Sequence, residues 1–385
     1  KVTDLICGYA IYVLIGRILG PSQYGIIGVV FSSLNFSHIF LKNGVPQATV
    51  KYIGGDKTSA YPVMSTAMRI QLPWAIILFL LVFGGAEVIA LRLLKDIELT
   101  PYIRLASVTI IPLAFYTIYE STLIGVRNFS KSALGVVFTS VMRLVLVSTF
   151  LVLGLAINGV FIGYICAALL GVIIVRSFCT FERSNSTFDS KKILSFALPL
   201  VITGGMVTLL LNIDSILVKR IMGNDTQVGF YFSAVTIAHA LYQMAGPFAV
   251  TLLPSIANSY KRNDYKLTRK YVRQVFRYIL ILSTPVAAVI SATSSELVTL
   301  IYGHTFYPAG LPLSILIFGS LFFGLSTALN TSISAIDHPW IATIFYLFPV
   351  ILIVPLSLSW ISKYGLVGAS AAISCAYVVS LMGSL

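Results

Sequence analysis

The chain has 385 residues and a mean hydropathy of +0.93; 57% of its residues are hydrophobic and only 10% are charged. A soluble domain carries about 25% charged residues, so this composition excludes a water-soluble protein and indicates a chain surrounded mostly by lipid. The net charge of +13 would favour a nucleic-acid partner only on a soluble module with a basic face, and here the basic residues instead punctuate apolar runs.

Twelve apolar runs can be read along the chain. A membrane-spanning helix needs about 20 mainly apolar residues, and each run approaches or exceeds that length. The sequence therefore predicts an all-α polytopic membrane protein with about 12 transmembrane helices, at residues 2–19, 24–46, 62–91, 101–125, 132–156, 159–178, 195–218, 228–257, 275–301, 308–334, 338–361 and 365–385.

The polar segment between the first two runs recurs in altered form at mid-chain. It reads Arg17-Ile-Leu-Gly-Pro-Ser-Gln-Tyr-Gly25 and then Arg220-Ile-Met-Gly-Asn-Asp-Thr-Gln-Val-Gly229, with the last glycines 204 positions apart. A second echo joins Gly159 to Gly365, 206 positions apart. Two echoes at nearly the same offset predict a duplication that gives two pseudo-symmetric six-helix lobes around a central cavity.

The polar linker at mid-chain and the Lys/Arg bias predict the domains and the orientation. We expect an N-lobe at residues 1–180, a cytoplasmic linker at 181–194 and a C-lobe at 195–385. Lys and Arg favour loops on the cytoplasmic side. Sixteen of the 26 lie in loops after even-numbered runs or at Lys1, and seven lie in loops after odd-numbered runs. This bias predicts a multi-pass protein of the cytoplasmic membrane with both termini in the cytoplasm.

Charged side chains inside the predicted helices are the candidate functional residues, because a charge in the bilayer normally faces a cavity or a partner. In the first half these are the cations Lys42, Arg69 and Arg143 and the anion Glu120, while Asp4 is interpreted as wetted at the end of the first run. We predict that Arg69 and Glu120 pair. The surplus of positive charge predicts that Lys42, Arg69 and Arg143 bind an anion such as phosphate or pyrophosphate.

Alternatives stay open for several of these residues. Lys42 and Arg69 are also consistent with side chains that reach to the membrane interface, whereas Arg143 lies too deep for that. In the second half, Asp214 and His239 join Glu120 as candidates for ion coupling or gating. His239 is equally consistent with a packing residue, and Asp214 with a structural role.

Motifs for other chemistry do not occur in the sequence. The four cysteines show neither a CxxC pair nor metal-ligand spacing. There is no phosphate-binding loop of an ATPase and no hydrolase motif. The sequence therefore predicts no metal, no cofactor, no nucleic-acid partner and no enzymatic activity.

The segments quoted above resemble a known family. Arg17 to Gly25 is similar to the hairpin between the first two helices of the polysaccharide or lipid-linked oligosaccharide flippases, within the multidrug/oligosaccharidyl-lipid/polysaccharide exporter (MOP) superfamily. Ser195-Phe-Ala-Leu-Pro-Leu200, followed by Asn212-Ile-Asp214, resembles the opening of that family's second lobe. Leu252-Leu-Pro-Ser-Ile256 and the basic stretch to Arg277 are also similar.

The resemblance implies alternating access around a cationic cavity. The substrate it implies is a polyprenyl-phosphate- or pyrophosphate-linked sugar, moved from the inner to the outer leaflet, with membrane lipids and a polymerase or transferase of a glycan pathway as partners. Three alternatives remain: a peptidoglycan-precursor flippase, a cation-coupled multidrug exporter of the same superfamily, which the positive surplus disfavours, and a non-transporting scaffold of a glycan-assembly complex.

Overall fold

The computed structural model describes residues 2–181, 187–244, 255–256, 258–260, 262–335 and 339–384, and within these ranges the chain forms helices and no strands. The predicted family segment at 252–256 therefore lies largely outside the described residues. The first half contains α1 (Val2–Lys42), α2 (Val45–Gly55), α3 (Ala60–Gly84), α4 (Thr100–Ser107), α5 (Ile110–Gly125), α6 (Phe129–Val152) and α7 (Ala156–Phe178), with short helical turns at Lys57–Ser59, Ala86–Val88, Ile89–Leu94 and Ile97–Leu99.

The second half begins with a helix that runs across the predicted linker boundary. It contains α8 (Ser190–Met222), α9 (Asp225–Gln243), α10 (Tyr265–Ala292), α11 (Ser294–Tyr302), the turn His304–Ala309, α12 (Gly310–Ala335) and α13 (Pro339–Ser384). Residues 190–194 of the predicted linker are thus the first turn of α8, and residues 182–186 lie outside the described ranges.

The number of membrane crossings agrees with the sequence prediction. Within the described ranges, nine helical segments are long and apolar enough to cross a membrane. Two of them, Val2–Gly55 with 54 residues and Thr343–Ser384 with 42, are about 81 and 63 Å long, twice the hydrocarbon thickness of about 30 Å. They bend at Gly20 and Gly365, so each is long enough to cross twice, which gives eleven crossings within the described ranges, close to the twelve that the sequence predicts.

A break interrupts the second apolar run, where the sequence predicts one helix over 24–46. α1 ends at Lys42 and α2 begins at Val45, with Gly44 at φ 84°. Asn-Gly is a turn dipeptide, and Pro46 occupies the first turn of α2, where a missing N–H leaves no hydrogen bond unmade. The prediction of one continuous helix is wrong here, and Pro46 begins a helix rather than kinking one.

Packing divides the chain into two compact units. Unit 1 comprises Lys1–Gly20 and Val29–Thr208, and unit 2 comprises Pro21–Gly28 and Leu209–Leu385. The boundaries fall inside α1 and α8 instead of in the polar linker. The predicted lobes at 1–180 and 195–385 remain a prediction about the duplicated halves, and the packing units are a separate division.

Unit 1 is built on α5, which packs against α2, α3 and α7, while α6 packs along α7. Small and β-branched side chains let these helices approach closely, as is usual in membrane bundles. The buried cluster shared by α2, α3, α5 and the start of α8 consists of Val45, Ala48, Ile53, Ala60, Val63, Met64, Ala67, Ile118, Ile193 and Ala197.

Unit 2 is built on α12, which packs against α9, α10 and α13. The Phe323 ring lies 4.5 Å from that of Tyr377, centroid to centroid. The hydroxyls of Ser326 and Ser380 are 2.7 Å apart, so α12 and α13 are joined by both an aromatic contact and a buried hydrogen bond.

The two repeated segments share a conformation. Gly20 and Gly223, each the residue after Arg-Ile-Leu or Arg-Ile-Met, have φ of 72° and 64°. This left-handed region is accessible to glycine at little cost. The similarity that suggests a duplication in the sequence therefore corresponds to a glycine with positive φ at the same position of each segment.

Within unit 2 the repeated segments also touch each other. A Cβ on Gly25 would lie 2.7 Å from the backbone nitrogen of Gly229, and a Cβ on Gly229 would lie 2.7 Å from the carbonyl carbon of Pro21. Tyr24 is fully buried beside them, with its ring centroid 5.4 Å from those of Phe232 and Tyr302. Both glycines are thus explained by close backbone approach.

Replacing Gly229 with Ala should destabilise unit 2, because the added methyl group meets the backbone of Pro21. Overpacking of this kind costs about 1–3 kcal/mol, which should lower the melting temperature of the purified protein by several degrees. Gly8→Ala is the control, since a Cβ there meets nothing within 4 Å. The interpretation fails if Gly229→Ala melts at or above the temperature of Gly8→Ala.

Candidate functional site

An ion pair joins α1 to α6 in unit 1. Arg143 lies 14 residues into α6, about 21 Å along it. Its Nη2 donates a hydrogen bond of 2.5 Å to Oδ1 of Asp4, and the Ser140 hydroxyl donates one of 2.8 Å to the same oxygen. Ser140 and Arg143 share a face of α6 because they are three residues apart. Asp4 is therefore a partner of Arg143, whereas the sequence indicates a wetted residue at a helix end.

The guanidinium group of Arg143 is only partly satisfied by this pair. Its carbon lies 5.5 Å from the centroid of the Tyr164 ring, and its buried Nε has no hydrogen-bond partner within the described ranges. The side chains of Arg143 and Asp4 are 25% and 49% exposed. An arginine held by one carboxylate oxygen, with solvent access, can exchange that carboxylate for another anion.

Lys42 and Glu120 complete what we call the charge cluster, formed by Asp4, Lys42, Glu120 and Arg143. Lys42, at the end of α1, interacts electrostatically with Arg143, Asp4 and Glu120. Glu120, on α5, also interacts with Tyr116. The cluster holds two cations and two carboxylates, so the surplus of positive charge expected from the sequence is not present within it. Opposite charges offset each other's desolvation where the surroundings are apolar.

Arg69 lies apart from this cluster in the described contacts. It is exposed on α3 along with Ile76 and Leu80, which follow it on the same helical face. The structure describes no ion pair between Arg69 and Glu120, although the sequence analysis predicts one. The face of α3 that meets α5 is instead that of Gln71, two positions on.

Gln71 supports the end of α1 beside the break. It is 1% exposed, and its Nε2 donates to the carbonyl oxygen of Leu41 at 3.1 Å and to Oγ1 of Thr117 at 2.8 Å. A carbonyl at a helix end needs such a donor because no further helical turn supplies one. The buried amide thereby fixes the backbone that carries Lys42.

Asp214 and His239 belong to unit 2 and are not neighbours. Asp214 is 2% exposed and accepts hydrogen bonds from the Tyr231 hydroxyl at 2.8 Å and the Ser215 N–H at 2.7 Å. His239 is eight residues beyond Tyr231 on α9, about 12 Å along the helix, and packs edge-on against Tyr242. Their role in ion coupling stays a prediction.

Two signals in the sequence pointed to residues that the sequence analysis missed. Ser140 and Arg143 present two donors at helical spacing, a pattern suited to one carboxylate, and Asp4 is the acidic residue of the first run. The Asn43-Gly44 turn signal inside an apolar run marked the break. No sequence pattern points to Tyr164, because its contact with Arg143 is between two different helices and local spacing does not reveal it.

The fold is that of a multi-pass membrane protein. Residues 14–310 match the model of the family described as polysaccharide biosynthesis protein, and the chain belongs to this family. The chain is 22% identical to an uncharacterized membrane protein of Methanocaldococcus jannaschii, over 94% of this chain and 89% of that one. It is 24% identical to the lipid II flippase MurJ of Bacillus subtilis, over 88% and 71%.

Solved structures show the same fold. A lipid II flippase MurJ in an inward closed conformation matches with a TM-score of 0.81 and 16% identity, over 99% of this chain and 85% of that one. An inward-facing multidrug resistance MATE family transporter of the MOP superfamily matches with a TM-score of 0.80 and 16% identity, over 98% and 92%. The family and these neighbours are transporters and flippases, not enzymes.

Replacing Arg143 with Gln should destabilise unit 1, because it leaves the Asp4 carboxylate without its cation. The loss should be about 1–3 kcal/mol, less than for a fully buried pair because both side chains are partly exposed. Adding Asp4→Asn should recover part of it. We expect a coupling energy of about 1 kcal/mol from a double-mutant cycle measured by thermal or denaturant unfolding.

Arg69→Gln serves as the control for that cycle. Arg69 is exposed and outside the cluster, so its replacement should change stability by no more than about 0.5 kcal/mol. A cycle in which Asp4 and Arg143 behave additively would contradict the assignment of the ion pair.

Proposed function

We propose that this protein is a flippase that moves a polyprenyl-phosphate- or pyrophosphate-linked oligosaccharide from the inner to the outer leaflet, for the assembly of a surface polysaccharide or another glycan. The observation that carries the proposal is the charge cluster: two cations and two carboxylates on the apolar helices of unit 1, with Lys42 and Asp4 exposed and Glu120 and Arg143 partly buried, in a member of the polysaccharide biosynthesis protein family. Charge in such a place costs several kcal/mol by most scales, which favours a role in handling a charged substrate.

The phosphate of the substrate would take the place of the Asp4 carboxylate on Arg143. The geometry favours this exchange. Only one guanidinium nitrogen, Nη2, donates to Asp4, whereas a phosphate can accept hydrogen bonds from two guanidinium nitrogens at once. Lys42 adds a second positive charge within electrostatic range of the same group. In the absence of substrate, Asp4 holds Arg143, and the charges of Asp4 and Glu120 act on Lys42.

Transport would follow by alternating access, with the ion gradient or membrane potential acting on Glu120, Asp214 or His239. The location proposed is the cytoplasmic membrane, with both termini in the cytoplasm, as the Lys/Arg bias predicts. A polymerase or transferase that uses the lipid-linked sugar is the proposed enzyme partner. The sequence predicts Arg69 as a third anion ligand, and its place outside the described contacts of the charge cluster gives it a weaker claim than Arg143 and Lys42.

Flipping can be tested in proteoliposomes with a fluorescent polyprenyl-pyrophosphate-linked sugar and a quencher that reaches one leaflet. Wild-type protein should raise the rate at which the probe changes leaflet above that of protein-free vesicles. Arg143→Gln and Lys42→Gln should each lower the protein-dependent rate at least tenfold, since each removes a charge-assisted contact worth about 1.5–3 kcal/mol.

Arg69→Gln is the matched control, because it also removes one positive charge from unit 1 but does so on the exposed face of α3. It should retain more than half of the wild-type rate. Equal loss in Arg69→Gln and Arg143→Gln would show a general effect of net charge, and a wild-type rate no greater than that of empty vesicles would remove the proposal.

Two related functions are favoured by particular observations. The match to MurJ of Bacillus subtilis over 88% of the chain favours a peptidoglycan lipid precursor, which the same assay distinguishes with a probe that carries a peptide on its sugar. The balanced charge of the cluster removes the objection to a cationic drug as substrate. Efflux of ethidium from proteoliposomes, without flipping of the lipid probe, would identify a drug exporter.

A further inference from the structure

A pocket with a mixed apolar and polar lining opens at the break between α1 and α2, all of it within unit 1. It has a volume of about 360 Å³ and is lined by Asn43, Gln47, Thr203, Gly204 and Thr208, together with two aliphatic side chains of α8. This volume lies within the range of about 300–1,000 Å³ found for small-molecule sites. We call it the break pocket. It begins at the residue after Lys42 of the charge cluster.

The break places backbone and amide groups where a continuous helix would hide them. The Gly44 N–H donates to Oε1 of Gln47 at 3.0 Å, which leaves the Gln47 NH2 group as a donor. Within the described ranges, the side-chain amide group of Asn43 makes no hydrogen bond. Thr203 and Thr208 of α8 also line this space, with their hydroxyls donating to the carbonyl oxygens of Pro199 and Gly204, and no charged side chain is among the lining residues.

Glycines on both sides allow α8 to approach the break. A Cβ on Gly44 would lie 2.9 Å from the carbonyl oxygen of Ala197, and Gly44 also has the left-handed φ of 84°. A Cβ on Gly204 would lie 2.7 Å from Cγ and Nδ2 of Asn43. The Asn43 amide is therefore held in position against bare backbone, and its conformation depends on Gly204.

We propose that the break pocket binds the sugar of the lipid-linked substrate next to the phosphate, which the charge cluster binds. This rests on the proposed function and names the group that the substrate must carry. Neutral amides and hydroxyls match the alternating donors and acceptors of a sugar, while an anion would select the cations of the cluster. Lys42 and Asn43 are consecutive in the chain, which suits a substrate whose pyrophosphate is linked directly to its first sugar.

The test compares two kinds of lipid on the full-length protein in nanodiscs. One is a bare polyprenyl pyrophosphate; the other is the same lipid carrying a hexose, an N-acetylhexosamine or a disaccharide. At least one sugar-bearing lipid should bind wild-type protein more tightly than the bare lipid. Asn43→Ala and Gln47→Ala should each weaken that complex about five- to tenfold, the loss expected for a hydrogen bond, and leave binding of the bare lipid unchanged.

Gly204→Ala and Gly205→Ala form a matched pair that changes one residue of α8 at a time. The first displaces the Asn43 amide and should weaken binding of the sugar-bearing lipid. The second should not, because its nearest atom is 3.9 Å away, on Ile39. Because both variants keep Asn43, a loss confined to Gly204→Ala would not come from removing that side chain.

The outcomes separate this inference from the proposed function. Arg143→Gln should weaken binding of both lipids. If the bare lipid binds and no attached sugar tightens the complex, or if Asn43→Ala weakens both lipids equally, the break pocket is not a sugar site and the flippase proposal stands. If neither lipid binds wild-type protein, the proposed function fails and the sugar site fails with it.

Discussion

The contact between Arg143 and Asp4 is the interaction on which the account of this protein depends. A guanidinium group in an apolar helical unit needs a counter-charge, and the one it has comes from another helix and is half exposed. A fully buried and saturated pair would be a structural element only. Among the residues that the structure describes, this pair instead leaves the Arg143 Nε without a partner, and Asp4 can be exchanged for a ligand of the same charge.

The remaining features of unit 1 follow from keeping that site in place within an apolar helix bundle. Gln71 supplies the donor that the end of α1 lacks at the break, so Lys42 stands at the end of a helix. The break in turn exposes Asn43 and Gln47 to a pocket beside α8. Lys42, the end of α1 and the break pocket therefore follow one another along one stretch of chain. Most of the neighbouring helix surface there is aliphatic.

Unit 2 depends on a different constraint, the close approach of the two repeated segments at Gly25 on α1 and Gly229 on α9. Gly25 and Gly229 were selected in the sequence analysis only because they recur at an offset of 204. The structure gives each a physical reason, since a side chain on either would collide with the backbone of the other segment. Tyr24 then fills the space beside them, between Phe232 and Tyr302.

Local sequence patterns predicted the fold well, but they did not predict contacts between residues that are distant in the chain. The apolar runs predicted the number of crossings because lipid demands about 20 apolar residues for each. The Asn43-Gly44 dipeptide is a turn signal, but it lies within an apolar run that predicts one continuous helix, so the sequence prediction does not include the break. Asp4 could not be assigned to Arg143, because no periodicity relates residues 139 positions apart, and the Arg69–Glu120 pair was inferred from depth alone, which does not determine the helical face.

The most direct test of the central claim is the binding of polyprenyl pyrophosphate, compared with the uncharged polyprenol, to wild-type protein and to Asp4→Asn. If Asp4 occupies the position of the substrate phosphate, wild-type protein prefers the pyrophosphate and Asp4→Asn increases that preference about five- to tenfold, because the internal competitor is gone. A wild-type protein that binds both lipids equally, or an Asp4→Asn variant with a weaker preference, would contradict the account.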